Sequence, residues 1–559
     1  MPQRESLWAV EARYIDGTDK TTLQTLVKAF KEIQKFEPNH PNSFYCIAGF
    51  HGLPFRGPGT TTEKDWWGGY CHHRDVLFPL WHRVYVLRLE NALRSVPGCE
   101  NVRLPYWDEL VGYEKPEPRS RRRPIPIPKP SPKTIPTILT SPEFENEPNP
   151  LYSYKLQENF EYKVEGRNER FSKPVGYETI RYPRSGLVGT EKDREATKIH
   201  NNLYSDQAGN VQILNANVAN WLEGRVEIPA DNEDGGEATE PPKDVTSVYE
   251  RILHSLKAPN YTVFSNLSSQ EQYNKDNHGD PSKPTVVSLE SPHNAIHLAV
   301  GGFYQKGRYN ASPIRGANGD MGSNEVAGFD PIFYFHHCFI DYLFWKWQEL
   351  HDSTTKLEID NGYDGTKTQY GHPVPEGALQ RPKEFPITLE TPLYPFLKDL
   401  ENNYFTSNDI TDIKKLGYGY GPGRLDAIIG QRPGRGVPYD FPFGFSRDEV
   451  PIIQKISGIN SADYWGSYVV RLYGYVKGKK VEVGREAILS RLKLSDCPNC
   501  ESHLETEILI PLHKELIDLN ILEKEGGNYR TSVGIQTYDR EHFPEDEPGR
   551  GRVPVVTTL

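Results

Sequence analysis

The chain has 559 residues, with 65 Lys and Arg against 76 Asp and Glu, a formal net charge of −11. That balance argues against a nucleic-acid binder, which needs a basic face for phosphate contact, and a hydrophobic fraction of 36% with no apolar run of membrane-spanning length excludes a polytopic membrane protein. Six cysteines are too few for a disulfide scaffold, and the start MPQRESLWAVE carries acid where a secretory leader needs an apolar run, so a cytoplasmic protein is expected.

In chain order, residues 21–36 (TTLQTLVKAFKEIQKF), 75–96 (DVLFPLWHRVYVLRLENALRSV) and 330–350 (DPIFYFHHCFIDYLFWKWQEL) place apolar residues at three- and four-residue spacing, which predicts buried helices. Residues 116–136 (PEPRSRRRPIPIPKPSPKTIP) hold prolines that block helix and interior strand, which predicts an exposed insertion. From about residue 443 the period changes. Residues 464–476, 505–512 and 529–538 alternate and are rich in Val, Ile and Tyr, and Lys-Gly-Lys-Lys at 477–480 reads as a hairpin turn, so a smaller β-sandwich is expected there. Between its strands lies Cys497-Pro498-Asn499-Cys500, a C-x-x-C that suits Cu(I) uptake; half of a zinc site and a redox dithiol are the competing readings.

Eight of the seventeen histidines fall in tight groups: His51, His72, His73, His82, His293, His297, His336 and His337. His82 sits among Leu80, Trp81, Val84 and Leu87 on a helix, and a buried imidazole without a partner costs about 1–3 kcal/mol. His293 and His297 are four apart, which stacks both rings on one helix face as a clamp for one metal ion. His336 and His337 are adjacent and point about 100° apart, so only one joins the clamp. An imidazole set with no carboxylate or thiolate suits Cu, Zn, Fe or Ni and disfavours Ca or Mg.

FHG at 50–52, CHH at 71–73, LFPLWHR at 77–83, PHNAIH at 292–297 and DPIFYFHHCFID at 330–341 together resemble the type-3 dinuclear copper family of tyrosinases, catechol oxidases and hemocyanins. The likeness is greatest to fungal tyrosinases that keep a C-terminal shielding domain, and it runs over essentially the whole chain. It implies a mainly α catalytic domain at 1–430, with a central antiparallel four-helix bundle supplying the ligands, followed by a β-sandwich shielding domain at 431–559. Tyr418-Gly419-Tyr420 resembles the element that closes the catalytic domain. Carried over, His51, His73 and His82 hold one copper and His293, His297 and His337 the other, with His72 and His336 behind them. Cys71 would carry a thioether to His73, Glu290 and Asn294 would orient a water as base, Phe333 would pack on the rings, and Cys497 and Cys500 would take up copper.

The activity implied is oxidation of monophenols and o-diphenols to o-quinones with O2, latent in the full-length form. The partners implied are O2, a small phenol and a copper donor, with self-association left open. An alternative from tyrosinase-like enzymes of secondary metabolism is non-redox cyclisation, ring contraction or lyase chemistry, with zinc in the site. Arg74 keeps that alternative in view, because similar tyrosinases often carry glycine after CHH; its guanidinium would narrow the entrance, add charge or point to solvent.

Overall fold

The computed structural model describes residues 1–558 except 55–69, 114–133, 165–168, 187–190, 225–246, 278–279, 281, 284, 303–318, 370–383, 400, 402, 431–451, 465, 492–503, 513–521, 538–540, 543 and 545–552. Most of the Pro-rich insertion, the expected boundary beyond residue 430 and the whole of Cys497–Cys500 therefore lie outside the described residues.

The N-terminal part is helical. Among the described helices that build it are α1 (Leu7–Asp16), α2 (Thr21–Ile33), α3 (Phe44–Ala48), α4 (Phe78–Arg94), α5 (Gln207–Glu223), α6 (Val248–Ser255), α7 (Leu267–Asp276), α8 (Glu290–Gly301) and α9 (Ile332–Leu350). In α9 every side chain from Ile332 to Trp345 is buried, and a helix apolar on all sides has to be enclosed by others. α4 packs on α9 and α2, while α8 packs on α5 and α6. The sequence pattern puts the start of α4 near Asp75 or Pro79, and the helix begins at Phe78. The Asp75 carboxylate accepts from Leu77 N–H at 2.8 Å and holds the preceding turn, and Pro79 then occupies the first helical turn, where its missing N–H costs nothing.

A buried ionic knot ties the chain's beginning to the end of the helical part. Arg4 pairs with Glu90 at 2.9 Å and with Asp341 at 3.2 Å, and Arg83 pairs with Asp341 at 2.5 Å. Tyr418 and Tyr420 hydroxyls donate to the same Asp341 oxygen at 2.8 and 2.6 Å, and Gln3–Arg4 pairs in parallel with Gly419–Tyr420. The Tyr-Gly-Tyr element thus closes onto α4 and α9 by neutralising charge that would otherwise be costly to bury.

The C-terminal part is β-rich. Its strands are β1 (Ile453–Asn460), β2 (Tyr468–Val476), β3 (Lys479–Ile488), β4 (Glu505–Pro511), β5 (Thr531–Gln536), β6 (Glu541–His542) and β7 (Val555–Thr558). They form two antiparallel sheets, β4-β1-β7 and β3-β2-β5-β6. Ile456 and Ile508 of one sheet share a core with Val470, Leu472 and Ile535 of the other. Val476 pairs with Lys479 across Lys477-Gly478, both at positive φ, which is the two-residue turn whose twist matches the strands. β3 packs on α8 and β4 on α7, so this part lies directly against the helix that carries His293 and His297. Among the described residues no helix is long and apolar enough to cross a membrane.

Candidate metal centre

The six expected ligands come from three helices and two loops, which corrects the expectation that four helices supply them: His82 is on α4, His293 and His297 on α8 and His337 on α9. His51 lies in the turn after α3 and His73 in the coil before α4, next to the left-handed Arg74. A Cβ on Gly52 would stand 2.3 Å from the Glu325 carbonyl oxygen. That contact seats the His51 loop on residues 324–325, where His51 Nδ1 donates to Asn324 O at 3.1 Å. Gly301 at the end of α8 has the same role, since a Cβ there would meet Gly322 N at 2.1 Å and push away the turn whose Met321 O accepts from His297 Nδ1 at 2.9 Å.

These partners set the chemistry of the rings. A carbonyl oxygen only accepts, so His51, His297 and His82, whose Nδ1 lies 2.8 Å from Phe78 O, carry their proton on Nδ1 and aim an unprotonated Nε2 inward. His293 Nδ1 meets Asn294 Oδ1 at 2.9 Å in the same sense. His293 Nε2 and His297 Nε2 each lie 3.2 Å from His337 Nε2. Lone pairs facing one another at that distance find no complete hydrogen-bond solution, whereas three nitrogens about 2 Å from one tetrahedral ion stand roughly 3.3 Å apart. His51 Nε2 and His82 Nε2 are buried with no hydrogen-bond partner among the described residues. Burial pushes every one of these imidazoles down, His297 to about 3, so all are neutral at physiological pH, the form that binds metal. The donor set fits a transition-metal pair.

The two groups touch. The His82 ring stacks on His337 with centroids 4.4 Å apart, and His73 lies 5.5 Å from His51 and 5.3 Å from His82. Phe333 packs 4.0 Å from His337 and 4.9 Å from His51, in the ring-supporting position expected of it. His72 meets Asp75 at 2.8 Å, and His336 Nδ1 meets Glu109 at 2.6 Å, a partner no spacing in the sequence reveals. Cys71 Sγ and a ring nitrogen of each of His51 and His73 lie within 4.8 Å of one another; so do nitrogens of His293, His297, His336 and His337.

The common central domain of tyrosinase matches residues 41–350, which contain all of these side chains. The chain belongs to the tyrosinase family. It is 41% identical to tyrosinase HcTyr2 of Hahella sp. over 92% of this chain and 89% of that one, and 35% identical to the tyrosinase of Aspergillus oryzae over 98% and 95%. The solved structure of a Burkholderia thailandensis tyrosinase at low pH superposes with a TM-score of 0.74 at 34% identity, over the full length of both chains. Fungal and bacterial relatives thus both match along the whole chain. The protein is a copper-dependent phenol oxidase with a dinuclear copper site, and non-redox zinc chemistry is not favoured.

Around this tyrosinase-family centre, Glu290 opens α8, and its carboxylate accepts from Arg74 N–H at 2.9 and 3.0 Å and from Leu267 N–H at 3.0 Å. Burial raises it to about 7 against those amides and the Arg74 charge. Arg74 itself, at φ 62, turns its guanidinium away from solvent and pairs with Glu271 at 3.0 Å, its side chain only 11% exposed. Burial likewise raises Glu271 to about 7, opposed by Arg74 and by the Glu507 N–H of β4. Because the folded value exceeds the ordinary 4.5, Glu271 favours folding fully below pH 4.5, and that contribution is lost as pH rises to 7. The stability advantage of wild type over Glu271→Gln in denaturant titrations is therefore expected to shrink by on the order of 3 kcal/mol between pH 4.5 and 7 and stay flat above. An advantage constant with pH would refute the assignment.

The C-terminal part reaches the centre too. Arg491 Nη2 lies 2.8 Å from Cys71 Sγ and 3.4 Å from His51 O, and Arg251 beside α8 is held by Glu486 at 2.8 Å, which also accepts from Ser291 Oγ at 2.9 Å. Nothing in the local sequence around Arg491 singles it out.

Proposed function

We propose that His51, His73 and His82 hold one copper and His293, His297 and His337 the other, and that phenols are oxidised there to o-quinones. The observation that carries this reading is the convergence of the His293 and His297 Nε2 atoms on His337 Nε2, each at 3.2 Å, in a buried site. Copper bound there supplies O2 activation and electron acceptance. The chain's own residues supply position and proton handling. Asn294 fixes the His293 tautomer through Nδ1, leaving its side-chain amide one helical turn from Glu290. Glu290, held by two backbone amides and raised to about 7, is suited to order a water that takes the phenol proton. That proton must leave for ring hydroxylation, whereas an o-diphenol is more acidic and needs the base less.

The helices α4, α8 and α9 are read as the core of an antiparallel bundle, and the two sheets as a sandwich-like domain that shields the centre and makes the full-length chain latent. Residues 1–430 and 431–559 are the corresponding units. Cys71 is read as the thioether partner of His73, and Cys497 with Cys500 as a copper-uptake pair served by a copper donor.

The test is Glu290→Gln and Asn294→Ala in activated, copper-loaded protein. Monophenol turnover is expected to fall roughly 10²–10⁴-fold in Glu290→Gln, with o-diphenol turnover within about tenfold of wild type. Equal losses on both substrates would remove Glu290 from proton transfer.

A further inference from the structure

Away from the copper centre, a cavity of about 310 Å³ opens between Tyr152, residues 178–184 and the first turns of α5. Its size is at the small end of ligand pockets, room for a body of roughly ten non-hydrogen atoms. Its apolar lining includes Tyr182, Val211 and Leu214.

The polar groups on its wall are mostly committed elsewhere. Arg181 is held by Asp330 at 2.8 and 2.6 Å, Gln207 donates to Tyr152 Oη at 2.7 Å, Asn210 donates to Tyr204 O at 2.8 Å, and Thr179 Oγ1 accepts from Tyr154 N–H at 2.9 Å. Arg184 is different. Its Nε is buried and has no hydrogen-bond partner among the described residues. A guanidinium presents planar paired donors that match a carboxylate. The exposed Glu178 carboxylate at the same cavity repels an anion in proportion to its charge, so a monoanion is favoured over phosphate esters and other dianions.

We propose that this cavity binds an amphipathic monocarboxylate, its carboxylate on Arg184 and its apolar body against Tyr182, Val211 and Leu214. The site is separate from the copper ligands and independent of their assignment. Its wall nevertheless belongs to the segment that braces them: Asp320 accepts from Ile180 N–H at 2.7 Å, and the next residue, Met321, fixes His297.

Calorimetric titration of the full-length copper-loaded protein with 3-cyclohexylpropionate tests the proposal. This saturated acid has no phenolic ring to mimic substrate. Saturable binding is expected below about 1 mM, weakened at least tenfold by Arg184→Gln, by filling the cavity with Val211→Trp, and by replacing the acid with its neutral amide. Phenol oxidation without the acid should be unchanged in both variants. No saturable binding up to about 10 mM, or binding that survives either substitution, overturns the site.

Discussion

His337→Ala is expected to lose one copper per chain and to lower o-diphenol oxidation by at least about a thousandfold, whereas His336→Ala should keep both coppers and lose about 10–100-fold. The two residues are adjacent on α9 and both are fully buried, so cavity formation of about 2–5 kcal/mol applies to each and does not separate them. What separates them is where the ring nitrogens point. His337 Nε2 meets two other Nε2 atoms at 3.2 Å, and its ring also stacks on His82 from the other group, so removing it opens one ion's coordination and loosens the wall between the pair. His336 spends Nδ1 on Glu109 and stacks on His293 at 5.3 Å, which is a support for a ligand. Metal content by atomic absorption, with circular dichroism to confirm folding, decides the question. Loss of copper in His336→Ala with retention in His337→Ala would reverse the assignment.

Much of this was legible in the sequence, for a physical reason. A metal site needs several donors of one type close to apolar helix faces, so the histidine spacings in PHNAIH and FHH stand out against ordinary core composition, and the helices that carry them are long enough to show their period. The β strands were legible through their alternation, and the Lys477-Gly478 turn through its glycine. Three things were not. His51 and His73 sit in loops whose shape is set by close approach at Gly52 and by the left-handed Arg74, contacts made with residues more than two hundred positions away. Arg74 was open between entrance, added charge and solvent; the answer, a pair with Glu271 beside β4, depends on domain packing. Glu109 and Arg491 carry no motif at all, since a single charged residue acquires meaning only from what the fold places beside it.

The second large effect concerns that packing. Removing the chain beyond residue 430 is expected to raise o-diphenol turnover at least about tenfold over the full-length protein, and Arg491→Ala should reproduce part of the gain. β3 lies on the helix that carries His293 and His297, and Arg491, just beyond it, is buried against Cys71 and the His51 carbonyl at the other group. If the C-terminal part shields the centre as proposed, a substrate reaches the coppers only when this contact opens. A hydrogen bond from a charged donor is worth about 1.5–3 kcal/mol, and each 1.4 kcal/mol is tenfold, so losing it shifts opening by roughly 10–100-fold. The Arg251–Glu486–Ser291 contacts still hold the domain in Arg491→Ala, which is why truncation goes further. Arg491→Lys keeps the charge but not the planar fork and should fall between. Steady-state rates at matched copper content measure the series. Equal turnover in the full-length and truncated chains would mean that the C-terminal part sits beside the path to the coppers without blocking it.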